Sequence, residues 1–114
     1  MAERARVRLL EDFADNAFTL PIMAIEREMS KPESGRDESI LSKARQLVAD
    51  GLEMLDSQLG GRTYLAGDFS LADVAFAPAT LRLEAIDAVP PKKLANVTGW
   101  ISRLRDRPSV AQLV

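Results

Sequence analysis

The fold is decided by the stretch Tyr64-Leu65-Ala66-Gly67-Asp68-Phe69-Ser70-Leu71-Ala72-Asp73. Ser70 is a good helix N-cap, because its hydroxyl can accept a hydrogen bond from the amide of Asp73. Asp73 can in turn accept from the amide of Ser70, which gives a capping box with Asp in place of the usual Glu. Phe69 precedes the cap and Val74 is the fourth helical residue, and these are the two positions of a hydrophobic staple. The stretch therefore predicts a turn and then a helix that begins at Ser70.

The helix that follows is apolar on almost every side in its first half. A helix that is apolar all round is buried all round, so this one should lie at the centre of the fold. We expect it to run to about Ala88, with an interruption at Pro78, where the ring removes a backbone donor. Asp73 at its start is a carboxylate near the core, and we interpret it as a structural cap and not as a catalytic group.

Three further helices are predicted from apolar residues at three- and four-residue spacing. They cover about Ala2–Met29, Glu38–Leu59 and Lys92–Asp106. Pro21 should kink or break the first of them, and Gly60 should end the second, because glycine tolerates a left-handed conformation. Pro108 stops the last helix, and one more turn is expected within 109–114. The fold class is thus all-α, a bundle of four to five helices with a buried central helix.

Composition limits the chemistry that this chain can perform. The 114 residues make one domain, 1–114, and they include no Cys and no His, which removes thiolate nucleophiles and Cys/His metal sites. We predict no catalytic residue and no metal ligand. The formal net charge of −2 gives no support to a nucleic-acid partner, and no apolar run approaches the ~20 residues that span a bilayer. A cytoplasmic protein is the default expectation.

Three segments resemble the C-terminal helical domain of the glutathione S-transferase family. Leu65–Val74 is similar to the turn and capped start of that domain's central helix. Asn96–Leu104 resembles its closing helix, and Arg107-Pro108-Ser109-Val110 resembles the turn that follows. With the long first helix, the resemblance covers essentially the whole chain.

The resemblance implies a division of labour between two domains. In the family, an N-terminal thioredoxin-like domain binds glutathione and activates its thiol, and these 114 residues contain no such sequence. The chain itself therefore needs no cofactor, whereas glutathione is implied for a parent protein. We expect the chain to be a fragment of that two-domain protein, to be inactive in isolation, and to contribute a wall of the hydrophobic-substrate pocket and a homodimer contact through its first two helices.

The first helix holds the candidates for that pocket wall: Leu9, Asp12, Phe13 and Asn16. Leu9 and Phe13 are four residues apart and lie off the main apolar stripe, so they form a second apolar patch that is either an interface or ordinary core. Asp12 and Asn16 belong to the polar side, where the resemblance implies a cleft and spacing alone indicates a solvated face. Arg4, Arg6 and Arg8 form either an anion or dimer contact or a set of i,i+4 pairs, as Arg8 could with Asp12.

Two other roles stay open for the same fold. Helical domains of this kind also serve as non-enzymatic protein–protein assembly modules, as in translation factors and aminoacyl-tRNA synthetase complexes. A free-standing binder of small ligands would instead need a closed pocket among the helices. The sequence upstream of Met1 would discriminate between an enzyme and an assembly module.

Overall fold

A computed structural model describes residues 2–111, and side-chain environments over 4–110. Within these residues the helices are α1 (Ala2–Phe13), α2 (Thr19–Met29), α3 (Glu38–Leu59), α4 (Leu71–Thr80), α5 (Ala95–Asp106) and the short α6 (Pro108–Ala111). The described part contains no β-strand, only isolated bridges in the turn before α4. The predicted all-α class is confirmed.

The long first helix is continuous but irregular. A π-helical turn, Ala14–Phe18, joins α1 to α2. The irregularity therefore lies one turn before Pro21, which itself is buried inside α2. Proline has no amide to donate to the carbonyl four residues earlier, and its ring crowds that carbonyl. The backbone widens there, and the predicted break takes the form of a π turn.

The hairpin of α2 and α3 is closed by a short polar turn. The Asp37 carboxylate accepts from the amides of Ser39 (2.9 Å) and Ile40 (3.2 Å) and so caps α3. At the other end of α3, Gly60 has φ +38°, the left-handed conformation that glycine supplies without strain. The predicted bounds of this helix, Glu38–Leu59, are confirmed.

A buried carboxylate holds that turn in place. Glu28 accepts from the Lys31 ammonium (2.8 Å) and from the Asp37 amide (2.9 Å), although its side chain is only 3% exposed. The hydrogen bond from Lys31, followed by that from the Asp37 amide, holds the pKa of Glu28 below its ordinary value of 4.5. Nearby, Arg82 pairs with Glu26 of α2, which raises the pKa of the guanidinium.

The central helix α4 is shorter than predicted. It contacts α1, α2, α5 and the π turn, but it ends at Thr80 and not near Ala88. The Thr80 hydroxyl donates to the Ala77 carbonyl (2.9 Å), and the next amides form tighter i→i+3 bonds that lead into a 3₁₀ turn, Glu84–Ile86. Side-chain competition for helix carbonyls and β-branching both weaken a helix at threonine.

Burial of α4 is also less complete than its composition suggests. Phe76 and Ala77 are fully buried, whereas Leu71 is 66% exposed and Val74 and Pro78 are exposed as well. These three residues follow one another at three- and four-residue spacing, so they form one open edge of the helix. The prediction that α4 is buried all round is wrong on this edge.

The last long helix begins later than predicted, at Ala95 and not at Lys92. Its start is fixed by a neighbour, because the Asp56 carboxylate of α3 accepts from the Val97 amide (2.9 Å). Capping by a distant residue leaves no local sequence signal. The extra turn expected within 109–114 is seen as α6, and residues 112–114 lie outside the described part.

Candidate functional site

Two hydrogen bonds between the cap residue and the first turn hold the predicted helix start. The Ser70 amide donates to one oxygen, Oδ2, of Asp73 (2.9 Å), and the Ser70 hydroxyl accepts from the Ala72 amide (3.3 Å). Ser70 has extended backbone angles, as an N-cap requires, and the two side chains form a capping box. The start of α4 therefore has partners for amides that would otherwise be unpaired.

The other oxygen of Asp73 reaches two more segments. Asp73 Oδ1 accepts from the Leu65 amide (3.1 Å) and from the indole nitrogen of Trp100 (2.8 Å). Both Asp73 and Trp100 are fully buried. We call these four residues, Leu65, Ser70, Asp73 and Trp100, the Asp73 cluster. It ties the turn, α4 and α5 to one carboxylate, and no part of that carboxylate is accessible to a substrate.

The predicted staple residues lie on either side of this cluster. The Phe69 ring meets Tyr64 edge to face at 5.3 Å, and the Arg107 guanidinium lies 3.7 Å above the centre of the Phe69 ring. Arg107 comes from the Arg-Pro turn after α5, so the tail of the chain packs on the start of α4. Val74 is 36% exposed, and a Phe69–Val74 staple stays a prediction.

The four pocket candidates on the first helix do not form one cluster. Leu9 and Phe13 line a groove of about 310 Å³ against Met54 and Gln58 of α3. Asn16 lines a second groove, about 470 Å³, farther along the same helix pair. Asp12 is exposed on α1. The structure thus brings Leu9 and Phe13 together and places Asn16 beside a different groove.

A third groove was not predicted from the sequence. It lies between α1 and the start of α4, has a volume of about 410 Å³, and is lined by Arg4, Val7, Arg8, Glu11, Ala66 and Leu71. Leu71 directly follows the N-cap and lies on the open edge of α4. Helical periodicity could have predicted that Leu71 is exposed, because it lies on the side of the helix away from the buried Asp73. We call this surface the α1–α4 groove.

The three arginines of α1 have different environments. Arg6 donates to the carbonyl (3.3 Å) and the side-chain oxygen (2.9 Å) of Gln58, which fastens α1 to the end of α3. Arg4 and Arg8 line the α1–α4 groove, and the ion pairs found within 4–110 include neither of them. The i,i+4 pair of Arg8 with Asp12 is therefore not formed.

The described residues contain neither a metal-binding cluster nor a membrane-spanning helix. No group of three or more acidic side chains there is placed to hold a metal ion. None of the described helices combines the length and the hydropathy needed to cross a bilayer.

Comparison with known proteins places this arrangement in a family. Residues 12–108 match the family model described as "Glutathione S-transferase, C-terminal domain". The chain belongs to the glutathione S-transferase C-terminal domain family, as the resemblance predicted.

Individual relatives agree with that placement. Glutathione S-transferase 2 of Saccharomyces cerevisiae is 29% identical over 73 residues, which are 63% of this chain and 31% of the relative. The theta class glutathione S-transferase of Xanthomonas axonopodis pv. citri has the same fold, with a TM-score of 0.85 at 24% identity over 99% of this chain and 61% of that protein. Glutathione transferase F7 of Populus trichocarpa gives 0.78 at 26% identity over 97% and 55%. The chain spans about a third of the curated relative and a little over half of the solved structures.

Proposed function

We propose that this chain acts as the C-terminal domain of a glutathione transferase. In this proposal a thioredoxin-like domain binds glutathione and activates its thiol, and the helical domain provides a wall of the pocket for a hydrophobic electrophile. The α1–α4 groove carries the proposal, because Leu71 is 66% exposed beside it, on the open edge of a helix whose other side is buried. An exposed apolar groove on a core helix is typical of a surface that another domain or a ligand covers.

The partner in this proposal is the thioredoxin-like domain. The solved relatives contain additional chain beyond the 55–61% that this chain covers, which leaves room for such a domain. The open edge of α4 would pack against it, and Arg4 and Arg8 would meet acidic or anionic groups there. Leu9 and Phe13 would contribute through the groove that they share with Met54 and Gln58 of α3, whereas Asp12 is exposed on α1 and Asn16 lies beside a different groove.

We further propose a homodimer through the first two helices and a cytoplasmic location. The hairpin of α2 and α3 supports the first part, because it carries exposed Leu20, Ile40 and Leu47. A glutathione-dependent reaction supports the second, because the glutathione pool keeps the cytosol reducing.

The division of labour can be tested by glutathione conjugation of a small aromatic electrophile. We expect no turnover by the isolated chain and clear turnover when it is joined to a thioredoxin-like domain from a relative. In the joined protein, Leu71→Asp should lower kcat/KM for the electrophile about 10- to 100-fold, since one buried apolar side chain contributes ~1.5–3 kcal/mol.

Val89→Asp is the matched control, because Val89 is 56% exposed and lies in the segment between α4 and α5. Turnover by the isolated chain would overturn the division of labour. Equal losses in the two variants would remove the α1–α4 groove from the pocket. An inactive joined protein that still captures a protein partner would favour the alternative, a non-enzymatic assembly module.

A further inference from the structure

The charges of the α1–α4 groove are unequal. Four of its lining residues, Arg4, Val7, Arg8 and Glu11, belong to α1. They stand at positions i, i+3, i+4 and i+7 and therefore share one face of that helix. Two guanidinium groups thus line the groove with a single carboxylate, which gives it an excess of positive charge on a chain whose formal net charge is −2.

The two arginines contribute nothing visible to the fold. Both are exposed, and the ion pairs and side-chain hydrogen bonds found within 4–110 include neither Arg4 nor Arg8. Like charges four residues apart destabilise a helix. Arg6 is different, because it donates to Gln58 and fastens α1 to α3. Arg4 and Arg8 are therefore available to a negatively charged group outside these residues.

The rest of the groove is apolar. Val7 and Ala66 are half-buried, and the 66% exposed Leu71 forms the side that belongs to α4. The volume of about 410 Å³ lies within the range of ~300–1,000 Å³ that is typical of small-molecule sites. An aromatic ring could cover the apolar side chains while a negatively charged substituent on that ring reaches a guanidinium.

We propose that the α1–α4 groove selects electrophiles that carry a negative charge, such as an aromatic ring with a carboxylate, and that Arg4 and Arg8 bind this charge. The inference rests on the proposed function and adds a substrate class to it. A guanidinium suits this task, because its planar fork can donate two parallel hydrogen bonds to one carboxylate. An uncharged ring would use only the apolar side chains.

The first test measures binding to the purified 114-residue chain, without glutathione and without a second domain. The probes are 3,5-dinitrobenzoate and 1,3-dinitrobenzene, which share a ring, differ by the carboxylate and carry no halide to displace. We expect the carboxylated probe to bind about 3- to 10-fold more tightly, since ion pairs of exposed cations are weak. The amide shifts in a nuclear magnetic resonance titration should centre on Ala66 and Leu71, and about 0.5 M salt should reduce the preference.

Substitutions of the two arginines test their role directly. Arg8→Gln should lower the preference for the carboxylated probe about twofold or more, and the double variant Arg4→Gln/Arg8→Gln should abolish it. Arg8→Lys keeps the charge and should keep most of the preference. Arg27→Gln is the matched control, because Arg27 is exposed ~28 Å farther along the same continuous helix, well beyond the Debye length of ~10 Å. Helical circular dichroism verifies that each variant is folded.

The second test is conjugation by the chain joined to a thioredoxin-like domain, with 4-chloro-3,5-dinitrobenzoate and 1-chloro-2,6-dinitrobenzene. In both reactions the glutathione thiolate forms a bond from sulfur to the ring carbon, and chloride leaves with the electron pair of its bond. The carboxylate takes no part in these steps. The double variant should lower the ratio of the two kcat/KM values about 3- to 10-fold, because the intrinsic reactivity of each ring is the same in every variant.

Three results would overturn the inference. They are equal binding of the two probes by the wild-type chain, amide shifts confined to other grooves, and equal losses of preference in the double variant and Arg27→Gln. A raised KM for glutathione with an unchanged ratio would also overturn it, because the arginines would then bind glutathione.

The inference and the proposed function can fail separately. A joined protein that conjugates both rings, with the same ratio in wild type and the double variant, would refute charge selection and leave the proposed function standing. An inactive joined protein, together with a chain that prefers the carboxylated probe through Arg4 and Arg8, would support the anion-binding groove and refute the proposed function.

Discussion

The Asp73 cluster contrasts with the exposed apolar side chains of the first two long helices, Leu9, Leu20, Ile40 and Leu47, which we call the hairpin seam. In the cluster, a fully buried carboxylate accepts from four donors, two on Ser70, one on Leu65 and one on Trp100. In the seam, Leu9 and Leu47 are more than half exposed. The cluster is complete within this chain, whereas the seam exposes apolar area that a second molecule could cover.

The difference separates what this chain needs for folding from what it offers to partners. A buried carboxylate must have its hydrogen-bond partners inside the same domain, because water cannot replace them. An exposed apolar face costs the folded chain little and becomes favourable only on association. Substitutions in the cluster should therefore act on stability, and substitutions in the seam should act on assembly.

The largest expected effect is that of Asp73→Ala. It leaves the buried Trp100 indole and Leu65 amide, and the half-buried Ser70 amide, without an acceptor, and loss of one member of a buried charged network costs ~3–5 kcal/mol. For a domain of this size each kcal/mol lowers Tm by about 4 °C or more, so thermal denaturation followed by circular dichroism should show a fall of at least about 12 °C.

Asp68→Ala is the control, because Asp68 is an exposed acid in the same turn. A Tm for Asp73→Ala within error of that control would show that the four hydrogen bonds do not hold the bundle together. The cluster would then contribute no more to stability than an exposed residue, and its contrast with the hairpin seam would have no energetic basis.

Local sequence predicted the parts of the fold that local interactions determine. Asp73 is three residues from the cap it completes, and Gly60 directly follows the helix it ends, so both were found from the sequence. The bond between Asp73 and Trp100 spans 27 residues. The sequence indicated that a buried indole needs a partner but could not identify Asp73 as that partner.

The wrong or missing predictions have the same physical cause, because they concern contacts between residues that are distant in sequence. The start of α5 depends on Asp56, 41 residues away, and the predicted start at Lys92 was wrong for that reason. For the candidate site, periodicity placed Leu9 and Phe13 together, but only the packing of α4 on α1 revealed the groove at Leu71. Which exposed apolar side chains find a partner depends on molecules that this sequence does not contain.

A smaller loss of stability is expected from a substitution in the closely packed core beneath the hairpin seam. A methyl group added at Gly51 of α3 would lie 2.8 Å from Cδ1 and 3.2 Å from Cε1 of Phe18. Phe18 is fully buried and its ring packs on Phe76 at 5.5 Å, so it cannot move freely. Overpacking costs ~1–3 kcal/mol, and the better helix propensity of alanine offsets up to ~1 kcal/mol.

We therefore expect Gly51→Ala to lower the free energy of unfolding by about 1–2 kcal/mol in a urea titration. Gly35→Ala is the control, because nothing lies within 4 Å of a methyl group there. A Gly51→Ala chain as stable as wild type would mean that the layer beneath the seam is loosely packed. The seam would then be a deformable surface, and the fit of two rigid copies would lose its support.

The smallest effect concerns Glu28, a buried carboxylate that borders the exposed end of the hairpin. Because its folded pKa lies below 4.5, its bonds to Lys31 and Asp37 stabilise the fold at pH values above 4.5, and this contribution is lost as the pH falls through the folded pKa. Glu28→Gln should thus be less stable than wild type at neutral pH, and the difference in Tm should shrink as the pH falls below 4.5 and through the folded pKa. Glu38→Gln, which alters an exposed carboxylate at the start of α3, supplies the control. The difference in Tm between Glu28→Gln and wild type could instead stay constant over this pH range. That result would mean that the charge of Glu28 does not stabilise the turn and that its side chain contributes through packing alone.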